Sequence, residues 1–391
     1  MKKFNKNLLA ISVINSLCML TAQANPTGMD VVRGNVAISR PSSTALHITN
    51  SPNAIINWKD FSIKSGETTR FIQENARSSV LNRVTSQSPS AIMGNLQSNG
   101  KVFLINPNGI VFGANSRVDT AGLIASTLEM SNKDFLAGQY SFSGDSGSIV
   151  NHGYIRSGKD GEVVFISPNI ENSGIIEAED GQILLAAGRD ITLTSLDSEG
   201  VNLKVTAPDD EILNLGQLIA DKGAIGLFAD QIKQQGRIQA NALVRGADGK
   251  IRLVAKTKVE TSKNSVTTAN NGDIKIQSQG VTKASGVIAA KGDEQGGKIQ
   301  VLGNTVRLEE AKIDASGKTG GGEVLIGGDY KGQGTTQTAQ NTLFDKNSEI
   351  KADAIDEGDG GKVIVWANGV TFAKGKISAK GGQTSGDGGF V

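Results

Sequence analysis

From about residue 250 onward, apolar and polar residues alternate in short runs, each closed by glycine or a small polar residue. Lys298-Ile299-Gln300-Val301-Leu302 and Val363-Ile364-Val365-Trp366 are two such runs. Alternation over four to six residues between Gly, Asn, Asp or Ser predicts short strands separated by turns. The runs recur together with their turns. Ile288-Ala289-Ala290-Lys291-Gly292 leads into Gly296-Gly297-Lys298-Ile299, and Ile313-Asp314-Ala315-Ser316-Gly317 into Gly321-Gly322-Glu323-Val324. Ile350-Lys351-Ala352-Asp353 leads to Gly360-Gly361-Lys362-Val363, and Ile377-Ser378-Ala379-Lys380-Gly381 to Gly388-Gly389-Phe390-Val391. Degenerate copies start at Ile176 and Ile238. The strand starts Ile251, Ile274, Ile299 and Val324 are spaced by 23, 25 and 25 residues. The next interval, to Val363, is 39 and carries an insertion around Tyr330–Asn341.

A strand-only period of 20–25 residues is one coil of a parallel β-helix. A β-propeller blade needs about 40–50 residues, and a β-sandwich shows no one-coil self-similarity. The expected fold is therefore all-β, a right-handed parallel β-helix with an N-terminal β-rich capping region. Sixteen or so coils would give a rod on the order of 75 Å. Ile, Val, Leu and Ala would fill the interior, with Gly and Asn in left-handed turn positions.

Composition divides the rod. Of the 49 glycines, 11 lie in residues 25–150 and 38 in residues 151–391, while seven of the twelve phenylalanines fall between Phe61 and Phe165. Residues 25–150 thus read as a domain with a more ordinary core, and 151–391 as coil repeats. The first 24 residues read differently again. Lys2, Lys3 and Lys6 precede a mostly apolar run from Leu8 to Leu20, and Ala22-Gln23-Ala24 supplies a small-x-small cleavage pattern. That is a secretory signal with cleavage between Ala24 and Asn25, and its apolar run is too short to span a bilayer. Leu17 is large for a lipid-modification site at Cys18. Cleavage would remove the single cysteine and three lysines, leaving 37 basic against 39 acidic residues, a formal charge of −2. No second run reaches the length of a membrane-spanning helix. The mature chain would be disulfide-free, held by backbone ladders and burial.

Candidate chemistry is sparse. Only His47 and His152 are present, so a His-based triad or a His/Cys metal site is nearly excluded by counting. Gly317-Lys318-Thr319 resembles the end of a phosphate loop, but Lys312 stands where the first glycine is required. Asp356–Gly361 is a lone acidic glycine turn without the recurrence of a calcium-binding repeat. β-Helices include polysaccharide-cleaving enzymes that cluster carboxylates on an outer face, but the carboxylates here sit in nearly every turn, as solubilising charges do. Nucleic-acid binding lacks a basic patch interleaved with aromatics. No cofactor or metal is expected, and the chain reads as non-enzymatic.

One local feature stands out. The strand Lys101-Val102-Phe103-Leu104-Ile105 is followed by Asn106-Pro107-Asn108-Gly109, then Ile110-Val111-Phe112-Gly113. Pro107 pre-sets one turn residue, and Asn108-Gly109 can take positive φ, so a tight turn joins two apolar strands.

Residues 25–150 resemble the N-terminal secretion domain of two-partner-secreted exoproteins, the filamentous-haemagglutinin family. Five blocks carry the likeness: residues 53–61 (Asn-Ala-Ile-Ile-Asn-Trp-Lys-Asp-Phe), 71–75 (Phe-Ile-Gln-Glu-Asn) and 79–85 (Ser-Val-Leu-Asn-Arg-Val-Thr). Gly100–Ile110 and Gly122–Thr127 complete the series. The remainder, with Asn151-His152-Gly153 and the closing Gly-Gly-Phe-Val, is similar to the high-molecular-weight adhesin branch. The resemblance implies an outer-membrane β-barrel transporter with periplasmic polypeptide-binding domains as partner, and export that ends with coil-by-coil folding outside the cell. It places the secretion-signal turn at Asn106, Pro107, Asn108, Gly109 and Ile110, with Asn75, Asn82 and Arg83 as further block positions and Ala22, Ala24 and Asn25 flanking cleavage. Asn106→Ala or Asn108→Ala should lower secretion and not the stability of the folded rod. The upstream Asn-Pro-Asn-Leu turn of the haemagglutinin branch has Ser51-Pro52-Asn53-Ala54 as its nearest string.

The implied product is a secreted, adhesin-type exoprotein at the bacterial surface, with a possible host-cell receptor. The alternatives are the delivery stub of a contact-dependent toxin or haemolysin, and a β-helical polysaccharide-active enzyme. The chain ends mid-repeat at Phe390-Val391, without a polar capping coil, which reads as a truncated exoprotein or one member of a split locus. Asn25-Pro26-Thr27 is blocked by its proline as a glycosylation acceptor.

Overall fold

A computed structural model describes residues 25–193, 201–204, 210–245 and 249–391. The chain winds as a parallel β-helix. Among the described residues, one face stacks twelve rungs, beginning with Ala54–Trp58, Ser79–Val84, Lys101–Ile105 and Gly122–Ser126 and ending with Glu323–Ile326 and Lys362–Val365. Every pairing along it is parallel. The register follows the repeat read from the sequence: Ile251 pairs with Ile274, Ile274 with Ile299, Ile299 with Val324, and Val324 with Val363 across the long interval. The Tyr330–Asn341 insertion leaves the coil through a single 3-10 turn, Tyr330–Gly332, and returns without disturbing the ladder.

Twelve rungs replace the expected sixteen or so, and eleven strand spacings give a rod of roughly 50 Å. Excursions consume the missing residues. The helix Asn132–Ala137 leaves the coil between Gly122–Ser126 and Ser148–Asn151, and a three-stranded antiparallel sheet of Tyr140–Ser143, Asp190–Leu193 and Val201–Lys204 stands beside it. These pieces cover the outer side of the first face. Ile55, Leu81, Phe103, Ile124, Val164 and Leu184 point away from the rod interior, yet are buried with Leu128, Met130, Phe135, Phe142, Ile191 and Leu193 in a second apolar cluster. Strands buried on both sides need no alternation, and Gly122–Ser126 and Glu162–Ser167 are accordingly buried at every position. Alternation returns in Lys250–Thr261, where the outer side faces water. The phenylalanine-rich region is thus the same rod with an added layer, and the ladder passes residue 150 unbroken, from Ile110–Phe112 through Ser148–Asn151 to Asn169–Asn172.

Inside the rod a single apolar cluster extends from Leu46 to Ala367. Large rings fill the early coils: Phe61 stacks on Phe71 at 6.3 Å, and Phe112 on Phe165 at 5.7 Å. Aliphatic side chains take over further along. One corner carries a buried amide ladder, in which Asn151 donates to Asn172 (2.8 Å), Asn172 to Asn214 (2.8 Å) and Asn214 to Gln234 (2.7 Å). Each amide is followed two residues later by glycine: Gly153, Gly174, Gly216 and Gly236. The ladder satisfies polar side chains at 0% exposure, where an unpaired amide would be costly.

Fifteen of the described glycines hold positive φ, as expected of turn positions, but others serve a different purpose. At another corner the residues with left-handed φ are Asp160, Asp180, Lys222 and Asn271, each just before a glycine. The glycine itself is required by close approach. A Cβ on Gly181 would lie 1.9 Å from the Gly161 carbonyl oxygen, and one on Gly223 would lie 1.8 Å from that of Gly181. Coils stacked at strand spacing leave no room for a methyl group at this corner.

The N-terminus forms the cap expected from the sequence. Asp30–Arg33 runs antiparallel to Ala54–Trp58, and Val36–Ser42 antiparallel to Ala45–Asn50. Met29 packs on the end of the rod core.

Candidate functional site

Four of the five sequence blocks lie on consecutive rungs of one face. Ala54–Trp58 pairs with Ser79–Val84, that strand with Lys101–Ile105, and that in turn with Gly122–Ser126. The remaining block begins in Thr68–Ile72 on a neighbouring face. Segments up to 70 residues apart in sequence therefore form one continuous patch, with the Asn106–Gly109 turn at its edge.

The turn is a coil corner between two faces. Its flanking strands do not pair with each other: Lys101–Ile105 pairs with Ser79–Val84 and Gly122–Ser126, and Ile110–Phe112 with Ser90–Ile92 and Ser148–Asn151. The Gly109 N–H donates to the Asn106 carbonyl at 3.1 Å, closing the turn. Gly109 has the positive φ (114°), and Asn108 does not share it. Asn106 is fully buried. Its Nδ2 donates to the Ser88 carbonyl and to Ser90 Oγ, each at 3.0 Å, and its Oδ1 accepts the Asn108 N–H at 3.0 Å. Asn108 is exposed, and its Nδ2 donates to the Ser86 carbonyl (2.8 Å) and to Asn106 Oδ1 (3.2 Å). The two asparagines thus fasten the Ser86–Ser90 loop of the preceding coil. From the following coil, Ser146 Oγ donates to the Pro107 carbonyl at 3.2 Å. Ile110 is buried in the rod core. The serine partners carry no periodic signal in the sequence, since loop contacts between coils have no fixed spacing.

Asn82 and Arg83 support the same patch from its neighbour strand. Asn82 is buried, accepts from Trp58 Nε1 at 2.9 Å and donates to the Phe103 carbonyl at 3.2 Å, linking three rungs. Arg83 points outward and ties down the start of the helical excursion. Its guanidinium bonds Glu129 Oε2 (3.2 Å), the Met130 carbonyl (2.6 Å) and Asn132 Oδ1 (3.0 Å). Ser131 caps the helix by accepting the Asp134 N–H at 3.0 Å. On that excursion Phe135 meets Phe103 edge-on at 5.2 Å, and Tyr140 stacks over the same ring at 6.2 Å. Burial, followed by the nearby Glu162 charge, holds the Tyr140 hydroxyl above its ordinary pKa.

Asn75 lies apart from this patch. It is exposed, and its Oδ1 accepts the Arg77 and Ser78 N–H groups at 2.9 and 3.2 Å, shaping the turn into Ser79–Val84. Ser51-Pro52-Asn53-Ala54 also forms a corner: Asn53 is left-handed (φ 56°) and the Ala54 N–H donates to the Ser51 carbonyl at 3.3 Å. Ala22 and Ala24, with the rest of the leader, lie outside the described residues. Asn25 is buried in the cap.

His152 and Ser173 meet at 2.5 Å on the exposed side of the amide-ladder corner, as stacked residues of successive coils. Tyr154 donates to Glu177, and Arg117 lies over its ring. Among the described residues, no three His, Cys, Asp or Glu side chains converge as a metal site would require, and no helix is long and apolar enough to cross a membrane. Several outer carboxylates are paired with lysines, as in Glu211–Lys233, Glu260–Lys258 and Glu323 between Lys298 and Lys362. Every shifted carboxyl among the described residues moves downward, the reverse of what a general acid needs.

Residues 22–276 match the family described as the TPS secretion domain. The crystal structure of the HMW1 secretion domain from Haemophilus influenzae aligns over 94% of this chain and 94% of its own, with a TM-score of 0.75 and 37% identity. A heme/hemopexin-binding protein of H. influenzae strain Rd is 26% identical over 334 residues, covering 83% of this chain and 35% of the relative. A second H. influenzae heme/hemopexin-binding protein is 30% identical over 145 residues, 36% of this chain and 16% of its own length. The chain thus spans about a third or less of the curated relatives it matches.

Proposed function

This chain belongs to the TPS secretion domain family, and we propose that residues 25–150 are the part its outer-membrane transporter reads while the chain is still extended. Domains of this family direct the export of exoproteins in partnership with such a transporter and are not an enzyme class. The observation that carries our finer reading is the stacking of four sequence blocks on adjacent rungs, clamped by Asn106, Asn108 and Arg83. An extended chain presents those blocks in series. Once through the membrane they would close on one another and give the first stable nucleus on which later coils add. Each added coil gains ladder bonds and buried apolar area, a free-energy gradient toward the outside that needs no nucleotide.

In this reading Asn106–Ile110 serves both stages, with the exposed Asn108 as a contact in the extended chain and the buried Asn106 as a clamp in the folded one. Residues 1–24 act as the leader to the periplasm, and Ala22-Gln23-Ala24 sets cleavage before Asn25. Residues 151–391 begin the β-helical passenger of an adhesin-type exoprotein that acts outside the cell or on its surface, with a host-surface receptor as its target. The likeness to one heme/hemopexin-binding relative over 83% of the chain supports a second reading of the passenger, as a binder of a haem-carrying host protein.

Removing residues 25–150 while keeping the leader tests the assignment. The remainder should accumulate in the periplasm in cells that carry the transporter. Its appearance in the medium at the full-chain level would overturn the reading. Binding of the secreted full-length product to host cells, against binding to haem-loaded hemopexin, separates the two passengers.

A further inference from the structure

The first residue after the expected cleavage site is seated in a built pocket. Asn25 is 1% exposed and holds a left-handed φ of 69°. Its backbone nitrogen lies 2.9 Å from Glu67 Oε2, and Glu67 is itself only 7% exposed. The same oxygen accepts the Lys64 N–H at 3.0 Å. Thr69 Oγ1 donates to Asn25 Oδ1 at 2.9 Å. Two residues on, the Thr27 N–H bonds the Asp60 carbonyl at 2.9 Å, so residues 25–29 cross the open end of the rod from one corner to another, with Met29 packed on the core below. Glu67 is anchored in turn, its carbonyl accepting the Asn95 N–H of the next coil at 2.8 Å.

We propose that this pocket is the receptor for the chain's own new amino terminus: cleavage of the leader turns the Asn25 nitrogen into an ammonium that pairs with buried Glu67 and locks the cap. The inference rests on the reading of residues 1–24 as a cleaved leader. Signal peptidase hydrolyses the Ala24–Asn25 amide with one water. Ala24 leaves as a carboxylate, and the Asn25 nitrogen becomes –NH3+, taking one proton from water and one from the nascent acid. Before cleavage the nitrogen is a neutral amide with one N–H to offer. Afterwards it is a cation with three donors, and an α-amino group of ordinary pKa near 7.7–8.0 stays protonated beside a carboxylate at neutral pH. The amide N–H bond to the carboxylate is already charge-assisted, so what cleavage adds is a full counter-charge and two further donors. An extended amino terminus would give buried Glu67 an amide donor in place of that counter-charge. Processing and capping would then be coupled, and the precursor would have a looser rod end than the mature chain.

The test uses the full secreted chain, with Trp366→Phe so that Trp58 reports on the first coils. One form starts at Asn25. The other carries Gly-Ser inserted after Ala24, and mass spectrometry fixes both termini. Glu67→Gln is made in each, and unfolding rates in urea complete a double-mutant cycle. The extension should speed unfolding of the cap about tenfold, Glu67→Gln should do the same in the form starting at Asn25, and the two effects should not add. Additive effects, with the terminus verified at Asn25, would overturn the lock and leave the leader reading standing. A natural terminus elsewhere would overturn both. If Glu67→Gln is not secreted, amine labelling of the wild-type chain decides. Its α-amine should react with a succinimidyl ester at least tenfold slower than that of an unfolded control, and equal rates would refute the pairing.

Discussion

Asn106→Ala and Asn108→Ala separate two roles of one turn. The Asn106 side chain makes four hydrogen bonds, to the Ser88 carbonyl, Ser90 Oγ, and the backbone and side-chain nitrogens of Asn108. Ser90 is 0% exposed, so its hydroxyl would lose its partner where water does not reach, at a cost of about 1–3 kcal/mol. Ser88 and Asn108 are exposed, and water would repair most of their losses. With the local turn bond gone as well, Asn106→Ala should destabilise the first coils by about 2–4 kcal/mol. The reading from sequence expected no loss of rod stability from either change, and the buried Asn106 clamp departs from that expectation. Asn108→Ala loses bonds that water can replace, and should cost under about 1 kcal/mol. In urea, with a slope of about 2–3 kcal/mol/M, the first change lowers the midpoint by roughly 1 M and the second by under roughly 0.4 M. Trp58 fluorescence in a Trp366→Phe background reads the relevant coils. Secretion is scored separately, as the ratio of medium to periplasm, and should fall for both. Equal midpoint shifts for the two variants, or no shift for Asn106→Ala, would refute the clamp. Normal secretion of both would remove the turn from the signal.

Three further outcomes follow from the same geometry. Gly223→Ala should cost more than about 3 kcal/mol and split the unfolding transition, because its Cβ would sit 1.8 Å from the Gly181 carbonyl oxygen; an unchanged urea curve contradicts the close-approach account. Asn82→Ala leaves the buried Trp58 Nε1–H unpaired and removes a second bond to the ladder-paired Phe103 carbonyl, about 1–3 kcal/mol, read as a lower urea midpoint with a shifted Trp58 emission. The Lys298–Glu323–Lys362–Asp329 chain should make the later coils acid-sensitive. Burial acts to raise the Glu323 pKa, but hydrogen bonds from Lys298 and Lys362 outweigh it, and the Lys362 hydrogen bond lowers Asp329. Carboxylates depressed in the folded state stabilise it above their unfolded values, near 4.5 and 3.8, and lose that contribution as pH falls through the folded values. Trp366 should therefore report loss of structure in acid earlier than Trp58, and Lys362→Met should flatten the difference; identical pH curves for both tryptophans would contradict it.

The coil architecture was legible because it is periodic. Ile251, Ile274, Ile299, Val324 and Val363 are each other's ladder partners, and a strand-only repeat has few ways to bury such a column. The second layer was not. Phe103 and Ile124 fill outward positions because a helix and a three-stranded sheet return to cover them, and that cover is built from contacts with no repeat spacing. The glycine count pointed to turns, and fifteen of the described glycines do hold positive φ, but at one corner glycine has another cause. There left-handed φ falls on Asp160, Asp180, Lys222 and Asn271, while the glycines beside them yield to the coil below. At the site, Asn106, Asn82 and Arg83 were named from blocks of sequence, but Ser86, Ser88, Ser90 and Met130, which hold them, became visible only when coils were stacked.

Export through a partner transporter is the claim on which the rest depends. The full chain should be expressed with and without the cognate outer-membrane transporter, and its partition between medium and periplasm measured in the two strains. We expect the folded rod in the medium only when the transporter is present, with degraded or periplasmic chain in its absence. Undiminished release from cells without the transporter would contradict the account.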